Sequence, residues 1–383
     1  MELFPAILIG GPPHSGKSVL AYSLSQRLRQ LGLAHYLLRA CPDGEGDWAN
    51  EIDQSLTRLL RVKGHWTPAL VERVCRDIAG RHLPLLVDVG GRPEPWQEPI
   101  LAHCTHALLL ASRPEELSVW QDYARRYGLP ILAELQSSLT GPAELYAEGP
   151  VFQARLAGLE RGSRQSGPVF EALVEKLSPY LAYPDAELRR LHLTSAPVQT
   201  TIDLDRLAPI LGVPLDGRQV RWEPVHLPRL LGELPTAEPL GLYGRGPNWL
   251  YTAAALQTHP APFSQFDPRL GWVSPPELRP GPPPPEAELK VRPERHPAGL
   301  KFDFTLSGAF LDYDEAPGQV IPPAPAGEAL ILSGKLPLWL FTALGLAYRA
   351  APLLAVYQPW LKAAVVVASN RPDFSPGDVL PDA

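Results

Sequence analysis

The chain repeats one of its own segments, so one structural unit must be built twice. The first copy reads Leu242-Tyr-Gly-Arg-Gly-Pro-Asn-Trp-Leu-Tyr-Thr-Ala253, and the second reads Leu332-Ser-Gly-Lys-Leu-Pro-Leu-Trp-Leu-Phe-Thr-Ala343. After a one-residue shift, Phe266–Leu270 aligns with Tyr357–Leu361. Self-similarity of this kind indicates a duplicated supersecondary unit.

The two copies share scaffold residues and differ in the residues that carry chemistry. The differing positions are His259, Asp267 and Arg269 in the first copy and Arg349, Gln358 and Trp360 in the second. This divergence predicts that one half carries the functional site and that the other half supports the structure.

Length and charge restrict the class of protein. A chain of 383 residues suggests two or three domains. Its net charge of -6 disfavours non-specific coating of nucleic acid, which usually needs a basic surface. A small anionic ligand held by a few local cations is compatible with this charge.

The cysteines and the hydropathy indicate a reducing compartment. Cys41, Cys75 and Cys104 are widely spaced and form neither a disulfide framework nor a zinc motif. The sequence shows no signal peptide and no apolar run of about 18 residues. We therefore expect a cytoplasmic protein with no membrane span.

Residues 1–182 predict a P-loop nucleotide-binding domain of α/β class with a parallel sheet. Short apolar runs alternate with amphipathic stretches, as in sheets covered by helices on both faces. The predicted strands are Phe4–Gly10, Ala34–Arg39, Leu83–Val89, Ala107–Ala111 and Leu129–Glu134. The predicted helices are Ser18–Gln30, Pro68–Ala79, Glu115–Tyr127 and Val169–Leu181.

The remaining chain predicts two repeat domains, 183–280 and 281–383. In the first, Val220–His226 suggests a strand and Leu227–Leu234 a helix. Pro275–Pro297 is dense in proline and charge, which predicts a stiff linker. In the second, strands are expected at Leu300–Leu306 and Ala363–Ala368, around a helix at Leu338–Tyr348.

A phosphate-binding motif lies between the first predicted strand and helix. It reads Gly11-Pro12-Pro13-His14-Ser15-Gly16-Lys17-Ser18, which satisfies G-x4-G-K-S in the required context. Backbone N–H groups would face the phosphates, Lys17 would reach the terminal phosphates, and Ser18 would ligate Mg²⁺. The motif predicts ATP with Mg²⁺ as ligand.

An acidic residue from another strand fits the same site. Asp88 ends an apolar strand and is followed by Gly90 and Gly91, so it can hold the Mg²⁺ shell. The sequence lacks the Asn-Lys-x-Asp guanine motif, which favours ATP over GTP. Arg92 and Arg113 are candidates for an arginine finger by position alone.

The repeated segments resemble the small CRISPR-associated ring-nuclease family, in its larger form fused to a P-loop ATPase. The resemblance is carried by Gly244–Tyr251, His259–Pro262 and Phe266–Leu270, and again by Ser333–Leu340 and Ala363–Ser369. It implies tandem α+β ferredoxin-like units, homo-oligomers, cleavage of cyclic tetra-adenylate, and nuclease activity assisted by Mn²⁺. Such cleavage would switch off type III CRISPR signalling.

The same resemblance suggests site residues. It implies catalytic roles for His259, Asp267 and Arg269, since histidine can transfer protons near neutral pH and arginine can stabilise a charged phosphorane. The turns with Gly244-Arg245 and Gly334-Lys335 lie beside predicted helix N-termini, where both cations could hold substrate phosphates.

Three interpretations remain open from the sequence. In the first, the repeats form an enzyme with one competent site per chain or with sites completed between chains. In the second, they are a non-catalytic module that binds a cyclic nucleotide or an RNA end and is regulated by the ATPase domain. Alternatively, the P-loop domain could be a small-molecule kinase or synthetase, with the repeats serving oligomerisation.

Overall fold

A computed structural model describes residues 4–41, 66–216, 219–307, 311–324 and 326–382. The chain divides into two compact units of mixed α/β structure. The first comprises Met1–His192 and Pro268–Gly271, and the second comprises Leu193–Asp267 and Trp272–Ala383.

The first unit is built on a largely parallel sheet in the order β2-β3-β1-β4-β5-β7-β6, in which only β6 runs antiparallel. Its strands are β1 (Ala6–Gly10), β2 (Tyr36–Ala40), β3 (Leu85–Val89), β4 (His106–Ala111), β5 (Ile131–Ser138), β6 (Glu144–Ala147) and β7 (Phe152–Ala157). Its helices are α1 (Lys17–Gln30), α2 (Pro68–Ala79), α3 (Pro99–Ala102), α4 (Pro114–Arg126), α5 (Pro168–Leu181) and α6 (Asp185–Thr194), the last of which crosses the unit boundary. The predicted parallel α/β sheet is confirmed.

The central strand β1 is apolar on both sides because both sides are covered. Ile7 and Ile9 pack in one core cluster with the α1 stripe that includes Leu24. Ala6 and Leu8 point into the opposite cluster. Side chains alternate across a strand, so a strand with helices on both faces needs a continuous apolar sequence.

The described residues of the second unit form four sheets, with strand orders β13-β12-β11-β8, β15-β16-β18-β19-β20-β21, β10-β9 and β14-β17. The strands are β8 (Thr201–Asp203), β9 (Leu215–Asp216), β10 (Gln219–Val220), β11 (Leu240–Tyr243), β12 (Phe263–Asp267), β13 (Gly271–Val273), β14 (Arg279–Pro280), β15 (Leu289–His296), β16 (Gly299–Leu306), β17 (Val320–Ile321), β18 (Leu330–Gly334), β19 (Leu353–Gln358), β20 (Ala363–Ser369) and β21 (Val379–Pro381). The helices are α7 (Leu204–Ile210), α8 (Leu227–Glu233), α9 (Asn248–Thr258) and α10 (Leu338–Ala347), with 3₁₀ turns at Pro224–His226, Tyr313–Glu315 and Pro359–Leu361.

The strand pairing reproduces the sequence repeat. In the first half β11 lies between β8 and β12, all parallel, and in the second half β18 lies between β16 and β19 in the same way. Leu242 pairs with Gln265, and its counterpart Leu332 pairs with Val356. This register makes Asp267 the structural equivalent of Gln358, in agreement with the one-residue shift of the sequence alignment.

The predicted ferredoxin-like units do not agree with this topology. A ferredoxin-like unit follows the order β-α-β-β-α-β. Each half instead has three adjacent parallel strands, with one helix joining the second of them to the third. The reason is a long-range pairing. The strand β16 was predicted at Leu300–Leu306 and β8 was not, but the local pattern revealed for neither of them which strand it pairs with.

Helices α9 and α10 pack against each other at close range. A side chain on Gly345 would overlap the methyl carbon of Thr252, so glycine permits the approach of the two backbones. Thr342 also donates a hydrogen bond to Gln265 Oε1 over 2.8 Å, with both side chains buried. The second unit therefore contains both halves of the repeat packed on each other within one chain.

Two predictions for the second unit are wrong. Residues 289–296 of the predicted linker form β15, which pairs along its length with β16. Proline has no backbone N–H and would interrupt the hydrogen bonds of a central strand. Pro293 is tolerated because β15 is the edge strand of its sheet. The strand predicted at 220–226 ends at Val220, and Pro224–His226 forms a 3₁₀ turn, since proline favours a turn start over a sheet position.

Candidate functional site

The segment that matches G-x4-G-K-S lies between β1 and α1, the strand and helix that flank it in the sequence prediction. Gly16 has φ of 91°, a left-handed conformation that glycine adopts readily, and it directly precedes the first helical residue, Lys17. The chain runs from β1 to β2 on one side and later returns to β4 on the other, so β1 lies at the switch point of the sheet. Ligands of open α/β sheets bind at the carboxyl ends of the strands at such a point.

The Lys17 side chain folds back onto the loop of residues 11–16. Its Nζ donates a hydrogen bond to the carbonyl oxygen of Pro12 over 2.7 Å, and only 7% of the residue is exposed. Burial lowers the pKa of Lys17, while the neighbouring Asp88 and Cys41 act in the opposite direction. A terminal phosphate would give this buried cation a second anionic partner.

Asp88 lies at the end of β3, next to β1, and is fully buried. One carboxylate oxygen forms an ion pair with Arg39, while Oδ1 has no hydrogen-bond partner among the described residues. Burial raises the pKa of Asp88, and Arg39, a hydrogen bond from Ser18 and the charge of Lys17 oppose that shift. An orphaned carboxylate oxygen beside a serine hydroxyl fits Mg²⁺, which prefers oxygen ligands.

Glycines allow the loops of this site to approach each other. A Cβ on Gly11 would clash with the carbonyl oxygen of Leu110, and one on Gly91 would lie 2.6 Å from Pro13 Cγ. Gly90 has more room, since its nearest neighbour, Cys41 Cβ, would be 3.4 Å away. His14 has φ of 61°, so its backbone helps to turn the loop.

The sequence interpretation did not include Arg39. This arginine interrupts an otherwise apolar strand, Tyr36-Leu-Leu-Arg-Ala40, and pairs in register with Asp88. A charge inside a buried strand needs a partner, and that requirement was the available signal. Of the two proposed finger arginines, Arg92 donates to the Tyr123 hydroxyl over 3.4 Å and Arg113 forms an ion pair with Glu116.

The second candidate region is the carboxyl edge of the duplicated sheets. Gly244 and Gly334 follow the same pattern, with φ of 110° and 145°, and each leads into a helix whose N-cap is proline. Arg245 and Lys335 are exposed at these turns. Each half thus presents one cation beside a helix N-terminus, a combination that favours anions.

Three aspartates lie around Tyr251 in the first half. The Tyr251 hydroxyl donates to the Gly244 carbonyl oxygen over 2.7 Å. Burial raises the pKa of Tyr251, and the carboxylates of Asp205, Asp203 and Asp267 raise it further. Within the described ranges, no three His, Cys, Asp or Glu side chains form a metal-binding arrangement.

The sequence comparison missed the equivalence of Asp203 and Asp303. Asp203 pairs in register with Tyr243, and Asp303 pairs with Ser333, the counterpart of Tyr243. The Ser333 hydroxyl donates to Asp303 Oδ1 over 2.8 Å. The flanking sequences Ile-Asp-Leu and Phe-Asp-Phe would have revealed this match.

The structure separates His259 from Asp267 within the chain. His259 is exposed and follows α9, at the edge of the sheet where β12 begins. Asp267 ends β12 at the opposite edge. Arg269 lies in the segment Pro268–Gly271, which belongs to the first unit.

Comparison with known proteins identifies part of the second half. Residues 307–381 match the family of the CRISPR-associated protein Cas_csx3. The chain thus carries a CRISPR-associated domain, which confirms that part of the resemblance seen in the sequence. A search of curated proteins finds no match.

None of the helices in the described ranges combines the length and the apolar character needed to span a bilayer.

Proposed function

We propose that the first unit binds ATP with Mg²⁺. The support is the pair of buried side chains Lys17 and Asp88 at the ends of β1 and β3, with Ser18 hydrogen bonded to Asp88. Backbone N–H groups of residues 11–18 would hold the phosphates, and Ser18 and Asp88 would hold the cation. When bound, Mg²⁺ neutralises phosphate charge and orients the terminal phosphates.

We further propose that the second unit binds a cyclic oligoadenylate, with cyclic tetra-adenylate as the first candidate. One observation carries this proposal: the two halves present equivalent Gly-(Arg/Lys)-x-Pro turns at helix N-termini. A ligand with repeated phosphates suits a protein with repeated cationic turns. The Cas_csx3 match of residues 307–381 supports a role in CRISPR defence, where degrading such a messenger would end signalling.

Cleavage of the bound ring would use His259 as the base. The 2′-hydroxyl would give its proton to the imidazole and attack phosphorus, the bond to the 5′-oxygen would break, and that oxygen would take up a proton. The products would be a 2′,3′-cyclic phosphate and a 5′-hydroxyl. Arg269 would stabilise the charge on phosphorus, and Asp267 would orient the imidazole.

This chemistry requires two copies of the chain, because His259 and Asp267 lie at opposite edges of one sheet. A homo-oligomer in which the edge of one copy meets the opposite edge of another would complete the site. No step is assigned to Mn²⁺, since the carboxylates near Tyr251 form no group of three metal ligands with other described residues.

The separation of His259 from Asp267 within one chain also favours a second candidate function. If no such contact forms, the repeats act as a module that binds the messenger or an RNA end without cutting it. The exposed cations Arg245 and Lys335 would serve either function equally well.

Calorimetry and product analysis with cyclic tetra-adenylate test these proposals. Arg245→Ala and Lys335→Ala should each weaken binding about tenfold and lower the salt slope by about one. Arg295→Ala, which also removes an exposed positive charge but lies on β15, away from the two turns, is the matched control. Linear products that disappear in His259→Ala indicate the enzyme, binding without products indicates the module, and no binding by the wild type overturns both.

A further inference from the structure

The second half of the repeat carries a cleft beside an exposed tryptophan. Trp360 stands where the first half has Arg269, and half of its surface (50%) is exposed. The adjoining cleft has a volume of about 640 Å³, within the range of small-molecule sites. A large aromatic side chain left in solvent beside a cleft of this size indicates a binding surface.

The walls of the cleft are fixed by close packing. One wall is the segment 221–228 and the other is the C-terminal segment 375–379. At Gly377, with φ of 98°, a Cβ would lie 2.7 Å from the carbonyl oxygen of Pro224. The cleft is therefore a built feature that does not depend on flexible side chains alone.

A flat cation faces the tryptophan ring. The guanidinium carbon of Arg221 lies 5.6 Å from the ring centroid of Trp360. A planar ligand between two planar groups needs about 7–8 Å, twice an ordinary carbon contact. Because Arg221 is exposed, its side chain can move the required distance of about 2 Å.

Two carboxylates at the cleft are already oriented. Asp378 Oδ2 accepts a hydrogen bond from the Ser375 backbone N–H over 2.7 Å. Glu223 accepts from the backbone of His226 and lies 3.5 Å from Arg221 Nε. Such acceptors suit a ligand that presents amino hydrogens, and they oppose a phosphate at this position.

We propose that this cleft binds an adenine base between Trp360 and Arg221, with the exocyclic amine donating to Asp378. Unpaired bases are recognised by stacking on aromatic rings or guanidinium planes and by hydrogen bonds to their edges. Adenine offers both a flat face and an amino donor. The second half would thus have a base-stacking side chain at the position where the first half has Arg269.

The position of the cleft connects it with the phosphate-binding turns. Trp360 follows β19 and Lys335 follows β18, and these neighbouring parallel strands end at the same edge. One nucleotide can therefore place its base on Trp360 and its phosphate on Lys335. This connection, and the choice of adenine among the bases that carry an amino group, rest on the proposed binding of a cyclic oligoadenylate.

Fluorine NMR of the full chain labelled with 5-fluorotryptophan tests the adenine site. Adenosine is the probe because it has no phosphate for the P-loop. The resonance assigned through Trp360→Phe should shift and saturate with adenosine, while that of Trp96, also exposed, should not. Inosine lacks the amino group and should bind about tenfold more weakly, and Asp378→Asn should remove this preference.

Several results would overturn the adenine site. They are an unmoved Trp360 resonance, equal shifts with adenosine and inosine, or a shift seen only with a peptide of sequence Arg279-Pro-Gly-Pro-Pro-Pro-Pro-Glu286, which would indicate a proline-rich partner.

Binding of cyclic tetra-adenylate separates the two proposals. Trp360→Ala should weaken its affinity about tenfold, the loss of one base stack, while Trp360→Phe should keep it. If the wild type binds no cyclic tetra-adenylate but adenosine still shifts Trp360, the proposed function fails and the adenine site stands. If the ring binds equally well to Trp360→Ala, its base does not use the cleft.

Discussion

Mixing two inactive variants should restore cleavage of cyclic tetra-adenylate if the site is completed between copies. His259→Ala removes the base and Asp267→Asn removes the group that orients it. From Phe263 to Asp267 the strand β12 rises by four steps of about 3.3 Å, or about 13 Å in total. A proton-transfer pair needs contact at about 3 Å, so one chain cannot supply both groups.

The expected magnitude follows from random assembly. In an equal mixture, about a quarter of the contacts join an intact His259 to an intact Asp267, so the mixture should reach about a quarter of the wild-type rate. Chromatographic separation of linear products measures the rate. Arg349→Ala, at the repeat counterpart of His259, should retain full activity as a matched control.

The reasoning would be refuted by a mixture that stays as inactive as its components, although each variant folds and binds the ring. Full activity of His259→Ala alone would equally rule out this histidine as the base.

Three further predictions concern the described contacts. Burial lowers the pKa of Lys17 in the folded protein, so between this lowered pKa and 10.5 the unfolded chain binds more protons than the folded chain. The unfolding free energy of the nucleotide-free protein should therefore rise with pH across this window, and it should rise less in Lys17→Met; denaturant titration at several pH values measures both. Gly91→Ala should displace the loop at Pro13 and weaken the binding of Mg²⁺–ADP about tenfold, as calorimetry can measure, whereas Gly90→Ala should have little effect. If both variants lost the same affinity, the contact between Gly91 and Pro13 would not be the cause. Gly345→Ala should force α9 and α10 apart and cost about 1–3 kcal/mol of unfolding free energy, while Gly232→Ala, which meets open space in α8, should be neutral or slightly stabilising.

The sequence predicted the first unit well because its signals are local. Continuous apolar runs such as Leu83–Val89 mark strands that are covered on both faces, and the structure confirms β3 there. The glycine-rich loop is also local, since it needs only the strand before it and the helix after it. The repeated Gly-x-x-Pro turns were recognisable for the same reason.

Other features depended on contacts between distant segments. Arg39 and Asp88 meet because β2 and β3 are neighbours, and β15 forms within a proline-rich segment because β16 offers it an edge. Periodicity reports which faces of a segment are apolar but not which segment covers them.

By itself, the sequence determined which residues are present: a loop that matches G-x4-G-K-S, a duplicated unit, and one copy with His259 and Asp267. Only the tertiary structure decided where these groups stand, since residues close in sequence lie at opposite edges when a strand runs between them. It also places Trp360 beside a cleft, because the segment 375–379 packs against residues 221–228. Distance along an extended strand grows by about 3.3 Å per residue, and sheet order then sets the neighbours of each strand end.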